Sequence, residues 1–131
     1  MIGLDTNVLV RYVMQDDPKQ SAKATRLIES LAPEAAGFVP VVALIELVWV
    51  LTSCYDLRRE QIVQALDGLL RAKELVLDRA EQVVQAVRVF RASSADFADC
   101  LIERTAYAAG CDGMMTFDRA AASNAGMVLI A

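Results

Sequence analysis

The chain reads as an α/β protein, a three-layer α/β/α sandwich around a central parallel sheet of about five strands. Two observations carry this. Short apolar runs recur at Ile2-Gly3-Leu4, Phe38-Val39, Leu75-Val76-Leu77, Gly113-Met114-Met115 and 127–130. Longer segments with apolar residues at helical spacing lie between them. Strands that alternate with helices form parallel sheets, because a parallel neighbour is reached by a crossover that is usually a helix.

Taken in order, Asp5-Thr6-Asn7 follows the first strand and offers a cap for a helix over about 7–14. Gln15-Asp16-Asp17-Pro18 is a turn, and Pro18 suits the first turn of a second helix ending near Ser30. Residues 31–37 form a loop before the strand at Phe38 and Val39. Pro40 then opens a strongly apolar helix to about Cys54, and Ile62, Ala65, Leu66 and Leu69 mark a helix over 58–72. After the third strand, Val83, Val84, Val87 and Phe90 give the apolar face of a helix over 79–91. A loop with capping residues at 93–96 leads into a helix over 98–109, which stops at Gly110. Asp118 opens a short helix, Gly126 turns the chain, and a fifth strand follows. No repeat, low-complexity tract or linker divides the sequence, so 131 residues read as one domain, 1–131.

Composition narrows the chemistry. Apolar residues make up 56% and charged residues 23%, which excludes global disorder. The net charge of −4 argues against a self-sufficient basic nucleic-acid binder, though not against a nuclease whose metal ions hold the phosphate. Cys54, Cys100 and Cys111 form no CxxC motif and imply no disulfide framework, so they read as reduced thiols of a cytoplasmic protein. No charged-then-apolar leader precedes Asp5, and no apolar run reaches the ~20 residues of a membrane span. There is no histidine. That removes Ser-His-Asp and Cys-His catalysis, most zinc sites and an imidazole base.

What remains is carboxylate chemistry. Asp5 closes the first apolar run, Glu46 interrupts the apolar stretch 41–51, Asp99 lies within Ala98-Asp99-Cys100-Leu101-Ile102, and Asp118 follows Met114-Met115-Thr116-Phe117. Carboxylates are rarely buried unless paired or metal-bound. Four at the edges of apolar elements point to one convergent cluster, and a carboxylate cluster without a cation repels itself, which implies Mg²⁺ or Mn²⁺. In open parallel sheets ligands bind beyond the carboxyl ends of the strands, where Asp5 and Asp118 sit. Thr6, Asn7 and Thr116 would add neutral oxygen groups. Helix capping is the plain alternative for Asp5 and Asp118. Glu46 has Val42, Ala43, Trp49 and Val50 three and four residues away and belongs to no polar stripe. Asp96 and Asp99 share a helical face, with Asp99 the better ligand and Asp96 a cap. Arg11 is balanced between a substrate-phosphate contact and simple exposure.

Met1-Ile2-Gly3-Leu4-Asp5-Thr6-Asn7-Val8-Leu9-Val10-Arg11, the apolar helix carrying Glu46, Ala95-Asp96-Phe97-Ala98-Asp99, and Thr116-Phe117-Asp118-Arg119 resemble the PIN-domain nucleases, and within them the VapC-type toxins of toxin–antitoxin pairs. The resemblance runs through essentially the whole chain. It implies a Mg²⁺- or Mn²⁺-dependent endoribonuclease, a homodimer, inhibition by a cognate antitoxin, and contact with DNA only through that antitoxin. It places the family's four acids at Asp5, Glu46, Asp99 and Asp118, its supporting polar positions at Thr6, Asn7 and Thr116, and an extra subgroup acid at Asp96. Two metal ions about 4 Å apart are within the reach of four carboxylates.

Three alternatives compete. A receiver-like signalling domain would also bind Mg²⁺, but it wants a phosphoacceptor after a middle strand and a lysine near the last one. The only lysines are Lys19, Lys23 and Lys73. A phosphatase with its nucleophile at the first strand wants Asp-x-Asp-x-Thr where this chain has Asp5-Thr6-Asn7. A non-catalytic interaction module would keep the acids for folding. The expected inhibitory partner is a basic, apolar antitoxin tail that lies near Trp49 and the 58–72 helix and inserts an Arg or Lys among the acids.

Overall fold

A computed structural model of the chain describes all of its residues, 1–131. The chain is α/β with parallel strands, and it divides into two compact units, residues 1–78 and 79–131.

In the first unit β1 (Ile2–Gly3) leads into α1 (Thr6–Met14), α2 (Pro18–Glu29), β2 (Gly37–Val39), α3 (Val41–Ser53), α4 (Arg59–Arg71) and β3 (Leu75–Leu77). The helix starts follow from local chemistry. The Asp5 carboxylate accepts from the Thr6 N–H at 2.7 Å, and Asp17 accepts from the N–H groups of Lys19 and Gln20 with Pro18 at the first helical position. The three strands pair in parallel in the order β1-β2-β3, with Ile2 opposite Gly37 and Phe38 opposite Val76. The core is built chiefly by α3 and α4. Leu44, Leu47, Leu51, Val63 and Leu66 are fully buried, each worth about 1.5–3 kcal/mol against exposure.

Gly37 heads β2, and its lack of a side chain is a packing requirement. A Cβ there would stand 2.9 Å from both Leu31 Cδ1 and Leu4 Cδ1 and 3.2 Å from Leu75 Cδ2. Gly37→Ala is therefore expected to destabilise the fold by about 1–3 kcal/mol through overpacking. Equilibrium urea unfolding checks this, and an unchanged midpoint would mean that the three leucines yield freely.

In the second unit α5 (Ala80–Ala92) packs on α6 (Phe97–Ala108), and β4 (Met115–Thr116), α7 (Arg119–Asn124) and β5 (Val128–Leu129) follow. Val83, Ala86, Val87, Phe90, Phe97 and Leu101 form its core. The Phe90 and Phe97 rings meet edge to face at 5.8 Å. β4 and β5 pair in parallel, Met115 opposite Val128.

Five parallel strands are present, as the sequence predicts, but they stand as a three-stranded and a two-stranded sheet instead of one sheet of five. β1, β4 and β5 are only two residues long. Such stubs make few ladder bonds, and apolar runs in the sequence do not reveal which stubs pair. Helix positions hold to within a residue or two, with α5 and α6 beginning at Ala80 and Phe97. No helix is long and apolar enough to cross a membrane.

Candidate active site

In the first unit, the end of β1 and the outer face of α3 bring Asp5 and Glu46 to one open cavity of about 560 Å³. Thr6 joins them. It is buried at 8% exposure, its N–H donates to Asp5, and its hydroxyl donates to Glu46 Oε2 at 3.3 Å. That contact bridges 40 positions of sequence. Asn7, Arg11, Cys54 and Tyr55 also line the cavity. Only Asp5 Oδ1 is engaged by the helix cap, so its second oxygen is available to a ligand.

In the second unit the charges of Asp96 and Asp118 act on Asp99. Burial first, then the charges of Asp96 and Asp118, hold the Asp99 carboxyl above the usual carboxylate range. Asp96 occupies the N-cap position of α6, yet its side chain makes no capping bond. The nearby cap-like contact is made by Ser93, whose Oγ accepts from the Ala95 N–H. Asp96 thus departs from the capping role read from the sequence, and its charge is left facing Asp99. Asp118 does cap α7: Oδ1 accepts from the N–H groups of Ala120 and Ala121, at 2.8 and 3.3 Å. Thr116 fixes the same turn, its Oγ1 accepting from the Asp118 N–H.

The acids are less buried than their apolar sequence neighbours imply. Asp5, Glu46 and Asp118 are exposed, and Asp99 is half-buried. For Glu46 the cause is plain. Val42 and Trp49, one turn away on either side, are themselves 70% and 62% exposed, so α3 carries an apolar stripe on its outer face.

Arg11 is committed to protein contacts. Its guanidinium donates to Gln20 Oε1 at 2.8 Å, to Asp16 at 3.1 Å and to the Tyr55 hydroxyl at 3.2 Å. The Tyr55 hydroxyl donates in turn to Asp16 at 2.6 Å. This network ties the last turn of α1 to the start of α2 and the segment after α3, and sequence reasoning missed it because its members lie up to 44 positions apart. The Tyr55 hydrogen bond, with help from Arg11, lowers the Asp16 carboxyl below its ordinary 3.8. A lowered folded-state value stabilises the fold above the ordinary value, and that stability is lost as pH falls through the folded value. Tyr55→Phe should therefore flatten the acid limb of the stability curve below about pH 4. Thermal melts across pH 2–7 test this, and an unaltered acid limb would show that Asp16 is held by something else.

The donors suit a hard divalent cation. Beside the carboxylates stand the Thr6 hydroxyl and the Asn7 amide, with no imidazole, which is the oxygen chemistry that Mg²⁺ and Mn²⁺ take; the Cys54 thiol is the one soft group in the wall. No group of three or more acidic or thiol side chains is spaced to hold an ion by itself. Mg²⁺ needs fewer, since it keeps several waters and binds through one or two carboxylates. The repulsion felt by Asp99 supplies a separate reason for a cation.

Among curated proteins none matches the chain. A family model of the PIN domain matches residues 2–126, almost its whole length, and the chain belongs to the PIN-domain family.

Proposed function

We propose that this protein is a divalent-metal-dependent endoribonuclease and the toxin of a toxin–antitoxin pair. PIN domains are generally metal-dependent nucleases. The observation that favours retained activity is the Asp5–Thr6–Glu46 arrangement, in which two carboxylates from distant segments meet at one open cavity on the buried Thr6, Asp5 accepting from the Thr6 backbone N–H and Glu46 from the Thr6 hydroxyl. A degenerate copy has no need to keep that arrangement.

The chain's own residues divide the work. Asp5 and Glu46 of the first unit, and Asp99 and Asp118 of the second, would be the carboxylate ligands of Mg²⁺ or Mn²⁺, with Asp96 adding negative charge beside Asp99. A bound divalent ion supplies Lewis-acid polarisation of the phosphate and acidifies water. Thr6 orients Glu46, the α1 cap orients Asp5, and Thr116 with the α7 cap orients Asp118. With no imidazole in the chain, proton transfer falls to carboxylates and water. The outer face of α3, with Val42 and Trp49 exposed, supports a protein partner with an apolar segment, which suits an antitoxin helix.

Incubation with an RNA pool of randomised sequence tests the activity. Internal cleavage in Mg²⁺ or Mn²⁺, silence in EDTA and recovery on adding the ion back are expected. No cleavage with either ion, or cleavage indifferent to EDTA, refutes the reading.

A further inference from the structure

We propose that the basic face of α2, with the groove it forms against α1, is the track that holds the phosphodiester backbone of single-stranded RNA beside the acid-lined cavity. This rests on the endoribonuclease reading and adds the means by which an acidic protein retains a polyanion.

The chain has a net charge of −4 and only three lysines, and two of them, Lys19 and Lys23, are on α2. Arg26 joins them, and Glu29 is the one acid within the helix. Spacings of four and three residues put Lys19, Lys23 and Arg26 on one stripe. All three are exposed, and none makes an ion pair. Like charges on neighbouring turns repel, so the stripe is a local cost that an external polyanion relieves.

Placement carries the rest. Lys23 lines a groove of about 280 Å³ between α1 and α2, together with Asn7, Val8, Arg11 and Leu27. Asn7 and Arg11 also line the cavity that holds Asp5 and Glu46. The groove and the acidic cavity are thus neighbours along α1. The carboxylates repel phosphate, and the Arg11 charge is already taken up by Asp16. The unpaired charges of α2 are placed to hold the strand on the approach to the cavity. An acidic protein segment is the competing occupant, but it carries no phosphodiester for a metal ion at the nearby carboxylates to polarise.

The test is fluorescence anisotropy with a labelled single-stranded RNA in EDTA, across a salt series, for wild type and Lys19→Gln/Lys23→Gln/Arg26→Gln. Each phosphate contact on a single strand contributes about 0.7 to the slope of log affinity against log salt, so the triple variant should be flatter by about 2. Between 50 and 200 mM salt the wild type should lose about 20-fold more affinity than the variant. Arg71→Gln/Lys73→Gln/Arg88→Gln removes the same charge from other exposed positions and should keep the wild-type slope. Equal slopes for wild type and the α2 variant, equal flattening in both variants, or no RNA binding by wild type overturns the proposal. So does binding of an oligoglutamate, instead of RNA, through the α2 residues. An α2-dependent slope without cleavage in either Mg²⁺ or Mn²⁺ defeats the nuclease reading and leaves the track; cleavage with an α2-independent slope does the reverse.

Discussion

Replacing Asp99 by asparagine should abolish RNA cleavage and, with it, the stabilisation that Mg²⁺ or Mn²⁺ confers. An ion at about 100 times its dissociation constant stabilises a fold by about 2.7 kcal/mol. That increment should vanish in Asp99→Asn and Asp5→Asn. Cleavage should fall by more than the 10–100-fold typical of losing a group that merely orients a metal ligand. Without metal, Asp99→Asn should melt higher than wild type. The Asp99 value is raised in the fold, so the fold is penalised as pH rises above the ordinary carboxylate value, and the penalty is complete above the raised value. Asparagine removes it. Glu46→Ala and Asp118→Ala should lose cleavage similarly, and Asp96→Ala should lose less. Melting curves with and without ion, beside the cleavage assay, decide the matter. A wild-type metal shift in both asparagine variants would remove these residues from the site, and a greater loss at Asp96 than at Asp99 would exchange their roles.

The largest effect on stability is expected at Phe97. It is 1% exposed, the bulkiest fully buried side chain, and its ring meets Phe90 edge to face. Phe97→Ala should cost about 3–5 kcal/mol, counting lost transfer and the cavity left behind. That is a large share of the 5–15 kcal/mol typical of a domain. Phe117→Ala is the natural contrast, since Phe117 is 79% exposed and should change stability by at most about 0.5 kcal/mol. Chemical denaturation of both variants provides the comparison, and similar midpoints would mean that Phe97 is not a core residue. Asp96 and Asp99 flank Phe97 on the same helix, so the variant should also weaken metal binding.

How much of this was legible in the sequence differs from element to element. Helix positions were, because capping is local: Asp5, Asp17 and Asp118 each satisfy N–H groups within a few residues. The pairing of the strands was not, because apolar stubs of two residues carry no register. The sequence singles out the four acids by their apolar surroundings, but their exposure was misjudged. An apolar helix face looks the same in sequence whether it meets a core, like Leu47, or solvent, like Trp49. The Thr6–Glu46 contact and the Arg11–Asp16–Tyr55 network depend on how distant segments meet, and no spacing rule anticipates them.

The wall of the acid-lined cavity also includes Cys54, an exposed thiol. Of the other two cysteines, Cys100 is buried and Cys111 is exposed. A Cys111→Ser variant would therefore leave a single accessible thiol, in the wall of the cavity itself. A maleimide dye coupled there would sense ions or nucleotides entering through its emission alone. Occupancy could then be followed in real time in variants that no longer turn over.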